Sequence, residues 1–385
     1  MSDVVVIGAG INGVAAALEL SEAGLTVTLI DQYAPAAMAS GWTLAGVRQS
    51  GRDAAELPLA RAAIAQWPDL AERLGQKTFY RQEGNLRLAR TEAEVEIIRQ
   101  LVAHHASIGL PIQMLNNIDD IHQVSAAIGP EVLAASYCPS DGHADPHATV
   151  NGYVDAARRA GTVTLFWERV IAIDAAHGRV TGVQTDKRHI ATGSVVVAAG
   201  VFGNKLLTPL GVAVQTEIQM VAVLRSVPME KVLTPVVGVA NADCAGRQEV
   251  DGRFRATSAL MRWNGRISDV GRPMVYPTAA SIAAVVKYFG GVVPAFKSAE
   301  IAEMWSGLID MTPDGLPVID APSDIVDGLV IAMGFCGHGF GIAPVTGQII
   351  ASLVQKQAPS LDIGAFSLRR PAMHSGGRSH TTLFG

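Results

Sequence analysis

Charge is what this 385-residue chain has least of: Asp, Glu, Lys and Arg make up 17% of it, against about 25% in an ordinary soluble protein. A basic excess is lacking as well. Thirty Lys and Arg stand against 35 Asp and Glu, for a net charge of -5, which argues against a nucleic-acid binder that must displace counterions from phosphates. Long apolar runs are missing too. A spanning helix needs about 20 nearly uninterrupted apolar residues, and the best candidate, residues 282–296, contains Lys287, two glycines and Pro294. The three cysteines, Cys138, Cys244 and Cys336, form no CxxC pair, so no disulfide framework, zinc site, iron–sulfur site or other metal is expected. Met1-Ser2-Asp3 leads directly into Val4-Val5-Val6-Ile7 without a basic stretch or a small-residue cleavage site, which points to the cytoplasm and not to export. Shortage of charge without a membrane span means surface hidden against a large cofactor or another subunit.

The length suits two domains or one composite unit. No internal repeat is visible, and the one biased tract is Ser/Gly/His-rich, at 374–380. The first thirty residues read as a βαβ unit: a buried strand at 4–7, a helix at 11–22, Gly24 as its stop, and a second strand at 25–30. Helices are expected at 53–74 and at 91–107, where Thr91 and Glu94 resemble a capping box. The βαβ pattern recurs with a helix at 153–160 and strands at 163–166, 180–184 and 195–198. Residues 215–288 carry β-branched clusters and read as a mostly antiparallel sheet. A helical turn at 299–304, a strand at 329–333 and a helix near 346–355 complete the chain. The fold class is therefore α/β: a discontinuous Rossmann-like domain (1–80, 141–214, 305–385) with an inserted α+β substrate domain (81–140, 215–304).

Gly8-Ala9-Gly10-Ile11-Asn12-Gly13 follows one strand and opens a helix, and Asp31 ends the next strand. Gly8 allows the tight turn, Gly10 the approach of a pyrophosphate and Gly13 close helix–strand packing, while the helix N-terminus stabilises the anion. Asp31 can accept both ribose hydroxyls and would repel a 2′-phosphate. The fingerprint does not separate NAD from FAD. A second signal, Thr312-Pro313-Asp314-Gly315-Leu316-Pro317-Val318-Ile319 followed by the loop from Gly334 through Gly337, His338, Gly339, Phe340 and Gly341 to Pro344, places backbone N–H groups at a helix N-terminus. Such a loop suits a flavin, whose N1–C2=O edge becomes negative on reduction.

Together with Ala39-Ser40-Gly41-Trp42 through Val47-Arg48, Asp145-Pro146-His147 and Val195 to Gly200, these motifs resemble the FAD-dependent amine and amino-acid oxidoreductases that include D-amino-acid, glycine and sarcosine oxidases. The resemblance covers nearly the whole chain. It implies an extended, non-covalent FAD, contacted also by Gln32, Ser40, Val170, Ala199 and Gly200, and a substrate held over the flavin by the inserted sheet. Ile309 stands where glycine-oxidase-like members carry a carboxylate-binding arginine. The segments 307–310 and 337–340 look closest to β subunits of heteromeric opine (nopaline or octopine) oxidases and D-hydroxyproline or L-proline dehydrogenases. That implies a larger α subunit, a small iron–sulfur subunit and a second flavin, FMN, at a subunit interface.

A carboxylate substrate calls for arginine, whose planar fork binds it in bidentate fashion. Arg48 is the first candidate, with Arg255 and Arg262 on the inserted sheet as holders of a second carboxylate and Tyr276 and Tyr288 as pocket walls. His338 is placed at the flavin or substrate; His143 and His147 lie near a position that links flavin in one relative, and His104-His105 read as solvated. The resemblance implies hydride transfer from the Cα of a neutral amine to flavin N5, giving an imine that water hydrolyses. A stand-alone glycine or sarcosine oxidase producing H2O2, a 2-hydroxyacid dehydrogenase on the same fold, and a non-enzymatic flavin subunit are the alternatives.

Overall fold

The computed structural model describes residues 2–269 and 272–375; most of the Ser/Gly/His-rich tract lies outside them. Among the described residues, six strands form one sheet in the order Val318–Asp320, Leu329–Met333, Ser194–Val197, Val4–Ile7, Val27–Asp31 and Val163–Phe166. All neighbours are parallel except the first pair. Val4 to Ile7 are buried on both faces, as a central parallel strand covered on each side must be. The helix Ile11–Glu22 packs on this sheet with Pro146–Arg159 and Ala343–Val354. Strands from three separate stretches of chain thus share one layer.

Among the described residues, the second sheet has nine strands. Met261–Arg262, Glu217–Pro228, Arg253–Ser258, Cys244–Gln248, Val236–Val239, Asn85–Ala89, Ala134–Cys138 and Gln113–Leu115 follow in spatial order, and Ile301–Met311 pairs with Glu217–Pro228. Its pairs are antiparallel apart from Val236–Val239 with Asn85–Ala89. The separate three-stranded meander of Val170–Ala176, Arg179–Thr185 and His189–Ala191 follows the edge strand of the first sheet. Thr91 caps Glu92–Ser107 by accepting from the Glu94 N–H, the sequence expectation at that helix start.

Three local readings change. Residues 299–304, rich in helix formers, belong mostly to the strand Ile301–Met311, because its ladder with Glu217–Pro228 outweighs local propensity. The 304/305 division accordingly falls within one strand. Within the stretch read as sheet, Ala279–Val292 is a helix capped by Thr278, which accepts from the Ser281 N–H, and it buries Val285, Phe289 and Val292. The helix expected from residue 53 begins at Leu57, after a turn in which Asp53 O accepts from the Glu56 and Leu57 N–H groups.

Candidate active site

A cavity of about 780 Å³ runs between the two sheets, lined at one end by Gly8, Gly10, Asp31 and Val170 and at the other by Arg48, Arg52, Ile309 and His338. At the first end the glycines act as the fingerprint requires. A Cβ on Gly13 would lie 1.9 Å from Gly8 O, and one on Gly8, at φ 111°, 2.3 Å from Ala198 O. Ser40 Oγ accepts from the Ile11 N–H at 2.9 Å, holding the segment 39–42 over the start of the helix. Asp31 accepts from the Ala9 N–H at 2.7 Å and the Tyr33 N–H at 2.8 Å. Burial pushes its carboxyl up to about 6, and those two N–H groups pull it back only in part.

These residues fit a dinucleotide. Asn12 is buried on the cavity wall, and its Oδ1 has no hydrogen-bond partner among the described residues. Ile11, Gln32, Ser40, Ala199, Gly200, Gly337, Gly339 and Phe340 line the same cavity. Gly13, Gly334 and Gly341 do not line it. Gly13 serves packing, Gly334 sits at φ 69° against Thr312, and a Cβ on Gly341 would press on Gly46 O at 2.9 Å. Behind the glycine loop, Trp67 donates from Nε1 to Gly341 O at 2.8 Å and stacks on Phe340 at 5.4 Å. The helix Leu57–Leu74 thereby pins the loop that enters Ala343–Val354.

The two C-terminal motifs meet beneath this loop. Asp310 accepts from the Gly334 N–H at 2.7 Å, and Thr312 Oγ1 lies 3.2 Å from Cys336 Sγ. Asp314 receives Arg370 Nε and Nη2 at 2.6 and 2.9 Å, both residues being buried. Burial would raise the Asp314 carboxyl, but hydrogen bonding and charge from Arg370 outweigh it and hold the group below its ordinary value. A depressed carboxylate contributes stability above its unfolded value, near pH 4, and loses it as pH falls through the folded value. Asp314→Asn leaves a buried guanidinium without its counter-charge, so unfolding at neutral pH should show a loss of about 3–5 kcal/mol. That deficit should shrink in parallel unfolding curves below pH 4.

At the far end the site is crowded with charge. Arg48 and Arg52 are buried on the wall. Arg48 donates from Nη1 to Ser50 O at 2.9 Å, and Arg52 lies 3.9 Å from Glu56. Arg52 Nη1 has no hydrogen-bond partner among the described residues. Asp141 accepts from the Gln49 N–H at 2.9 Å and from the Ser50 hydroxyl. Burial, followed by repulsion from Arg52 and Arg87, lowers Arg48 well below its ordinary value, with Asp141 and Glu56 acting against this. His338 Nδ1 lies 3.0 Å from Glu56 Oε2.

Several expected site residues are elsewhere. Arg255 is buried but does not line the cavity: it bonds Glu249 at 2.7 Å, donates to Thr43 O at 2.7 Å and stacks on Trp305 at 5.4 Å. It positions the 41–43 segment and cannot also hold a second carboxylate. Arg262 is exposed and off the cavity, and Tyr276 is 67% exposed to solvent. Tyr288 packs against the apolar core of the nine-stranded sheet. His143 faces Arg247 Nη1 at 2.8 Å, and the His147 ring packs against Gly41. His105 is fully buried and not solvated. Sequence reading missed Arg52 and Glu56. The one available signal was an Arg-x-x-x-Glu pair at helical spacing beside Arg48.

The model of the FAD dependent oxidoreductase family (DAO) matches residues 3–353. Glycine oxidase of Geobacillus kaustophilus is 26% identical over 96% of this chain and 97% of its own. N-methyl-L-tryptophan oxidase of Yersinia pestis is 26% identical over 96% and 99%. The crystal structure of L-proline dehydrogenase from P. horikoshii superposes with a TM-score of 0.87 and 26% identity, covering 96% of this chain and 97% of that one. With the fingerprint, the glycine loop and the dinucleotide-sized cavity in register, this chain belongs to the FAD dependent oxidoreductase family.

Proposed function

We propose that the chain dehydrogenates the CH–N bond of an amino acid or cyclic imino acid that carries one carboxylate. The carrying observation is the far end of the cavity, where Arg48 and Arg52 sit buried side by side. With Arg87 they gather three guanidiniums beside the carboxylates of Glu56 and Asp141. A bound carboxylate is attracted to that cluster, and a bidentate guanidinium fixes its plane. Held there, the substrate presents its Cα and nitrogen to the interior of the cavity, and orientation of this kind carries much of the rate enhancement. FAD, when bound, supplies the two-electron acceptor; Gly8 to Gly13, Asp31 and the 337–340 loop would hold it.

Ile309 on the wall, where glycine-oxidase-like members carry arginine, favours a substrate with an apolar side or ring over glycine. Proline and its relatives fit that surface. An opine requires a second carboxylate site, and Arg255 is already paired with Glu249. The test is anaerobic addition of proline isomers, hydroxyproline, glycine, sarcosine, N-carboxyalkyl amino acids and a 2-hydroxy acid to the flavin-loaded protein. Bleaching of the flavin by an imino acid, with a cyclic imine as product, supports the reading. Bleaching by a 2-hydroxy acid alone would replace it.

A heteromeric assembly is favoured by one surface feature. Val163 (55% exposed), Trp167 (52%) and Ile171 (52%) cluster along and just after the edge strand Val163–Phe166, at the rim to which Ile171 belongs. A partner subunit would cover them, beside Asp31 and away from the arginine end of the cavity. Rapid turnover of the isolated chain with stoichiometric peroxide would exclude the assembly and leave a stand-alone oxidase.

A further inference from the structure

Resting on the carboxylate reading above, we propose that His338 and Glu56 form a proton-accepting pair coupled to the arginines: an acid seated on Arg48 and Arg52 draws one proton onto His338. Glu56 is the positioning residue. It ends the turn before Leu57–Leu74, 282 residues from His338 in sequence, and it is fully buried. Its Oε2 lies 3.0 Å from His338 Nδ1. A carboxylate there holds the proton of a neutral imidazole on Nδ1, which makes Nε2 the accepting atom. His338 is buried on the cavity wall with both arginines.

The charges around the ring decide its state. Burial, then Arg52 and Arg48, push His338 down to about 4, against the pull of Glu56. Burial would raise the Glu56 carboxyl, but its contact with His338 and the charges of Arg52 and Arg48 outweigh it, and the two guanidiniums keep it ionised beside a neutral imidazole. Other charged or titratable groups nearby are Asp141 and Arg87, which act on the arginines, Cys336 in the same loop, whose thiol burial keeps protonated, and Asp310 beneath that loop, whose carboxyl burial raises to about 6. Asp310→Asn, measured alongside, separates its protons from those of His338. A carboxylate on Arg48 and Arg52 offsets the two repulsions and leaves the attraction of Glu56 opposed by burial alone. The imidazole therefore becomes more basic when an acid is bound.

For a zwitterionic substrate the proton comes from its own ammonium group. The N–H bond breaks, its electron pair remains on nitrogen, and the proton forms an N–H bond at His338. The product is the neutral amine, the form whose Cα–H can leave with its electrons. The site therefore activates its substrate by the same contact that recognises it. An ester or amide, without the negative charge, would give His338 no such gain in basicity.

Pyrrole-2-carboxylate tests this, since its planar nitrogen carries no ammonium proton and its ring has no saturated Cα–H. Binding to the flavin-loaded protein is followed by the flavin spectrum, and proton uptake by calorimetry at pH 6 in two buffers of different ionisation enthalpy. The expected result is uptake of about half to one proton per acid bound, and affinity that falls up to about tenfold per pH unit above the bound-state midpoint. Pyrrole-2-carboxamide should take up none. His338→Gln should bind the acid without uptake, and Glu56→Gln should move uptake to lower pH. Wild-type binding without proton uptake, or uptake that persists in His338→Gln, overturns the proposal and leaves the carboxylate reading standing. No spectral change with the acid at all overturns both.

Discussion

Arg48→Met should lower kcat/KM for the carboxylate substrate by about 30- to 5,000-fold, since removing one side of a buried charge pair costs about 2–5 kcal/mol. The loss should appear mainly in KM, because the carboxylate is held equally in ground and transition states. Flavin content should be unchanged, because Arg48 donates to Ser50 O and is influenced by Arg52 and Asp141, not by the fingerprint acid Asp31. Arg48→Lys keeps the charge but loses the fork, and should recover part of the activity. The decisive control is the decarboxylated amine. A poor substrate in both proteins, it should react with Arg48→Met as it does with the parent chain. Equal losses for acid and amine would make Arg48 a structural residue that neutralises Asp141.

The second large effect is on the flavin. Gly13→Ala puts a methyl group 1.9 Å from Gly8 O, and backbone lies on the other side of that contact. The helix Ile11–Glu22 must retreat from the turn, and overpacking of this kind costs about 1–3 kcal/mol. The larger consequence is that the N–H groups at the helix start move off the pyrophosphate position. We expect purified Gly13→Ala to lack most of its visible flavin absorbance and to melt earlier. Gly24→Ala is the control. Gly24 also has positive φ, at 85°, but a Cβ there meets nothing within 4 Å, so it should keep its flavin and lose only about 1 kcal/mol.

What was legible in the sequence was local. Gly8 to Gly13, Asp31 and the 334–341 loop announce themselves because strand, turn and helix follow each other within a few residues. The capping pair at Thr91 and Glu94 is legible for the same reason. The far end of the cavity was not. Glu56 reaches His338 only through the packing of Leu57–Leu74 on Phe340 and Gly341. Arg255 looked available because its partner Glu249 is a cross-strand neighbour, a relation fixed by the ladder of Cys244–Gln248 with Arg253–Ser258. The strand Ile301–Met311 was hidden by its own composition, since Ala302, Glu303 and Met304 favour a helix until Glu217–Pro228 offers a ladder. Ala279–Val292 erred the other way, its β-branched residues reading as sheet although Thr278 caps it as a helix.

The claim at the centre is that Arg48 and Arg52 select an acid. The most direct test is an anaerobic spectral titration of the flavin-loaded protein with proline and, separately, with pyrrolidine, which differs only by the carboxylate. The account predicts bleaching by proline at concentrations at least about thirtyfold lower, the factor that corresponds to the lower end of a buried charge-pair contribution, about 2 kcal/mol. Equal bleaching by the two amines would contradict it.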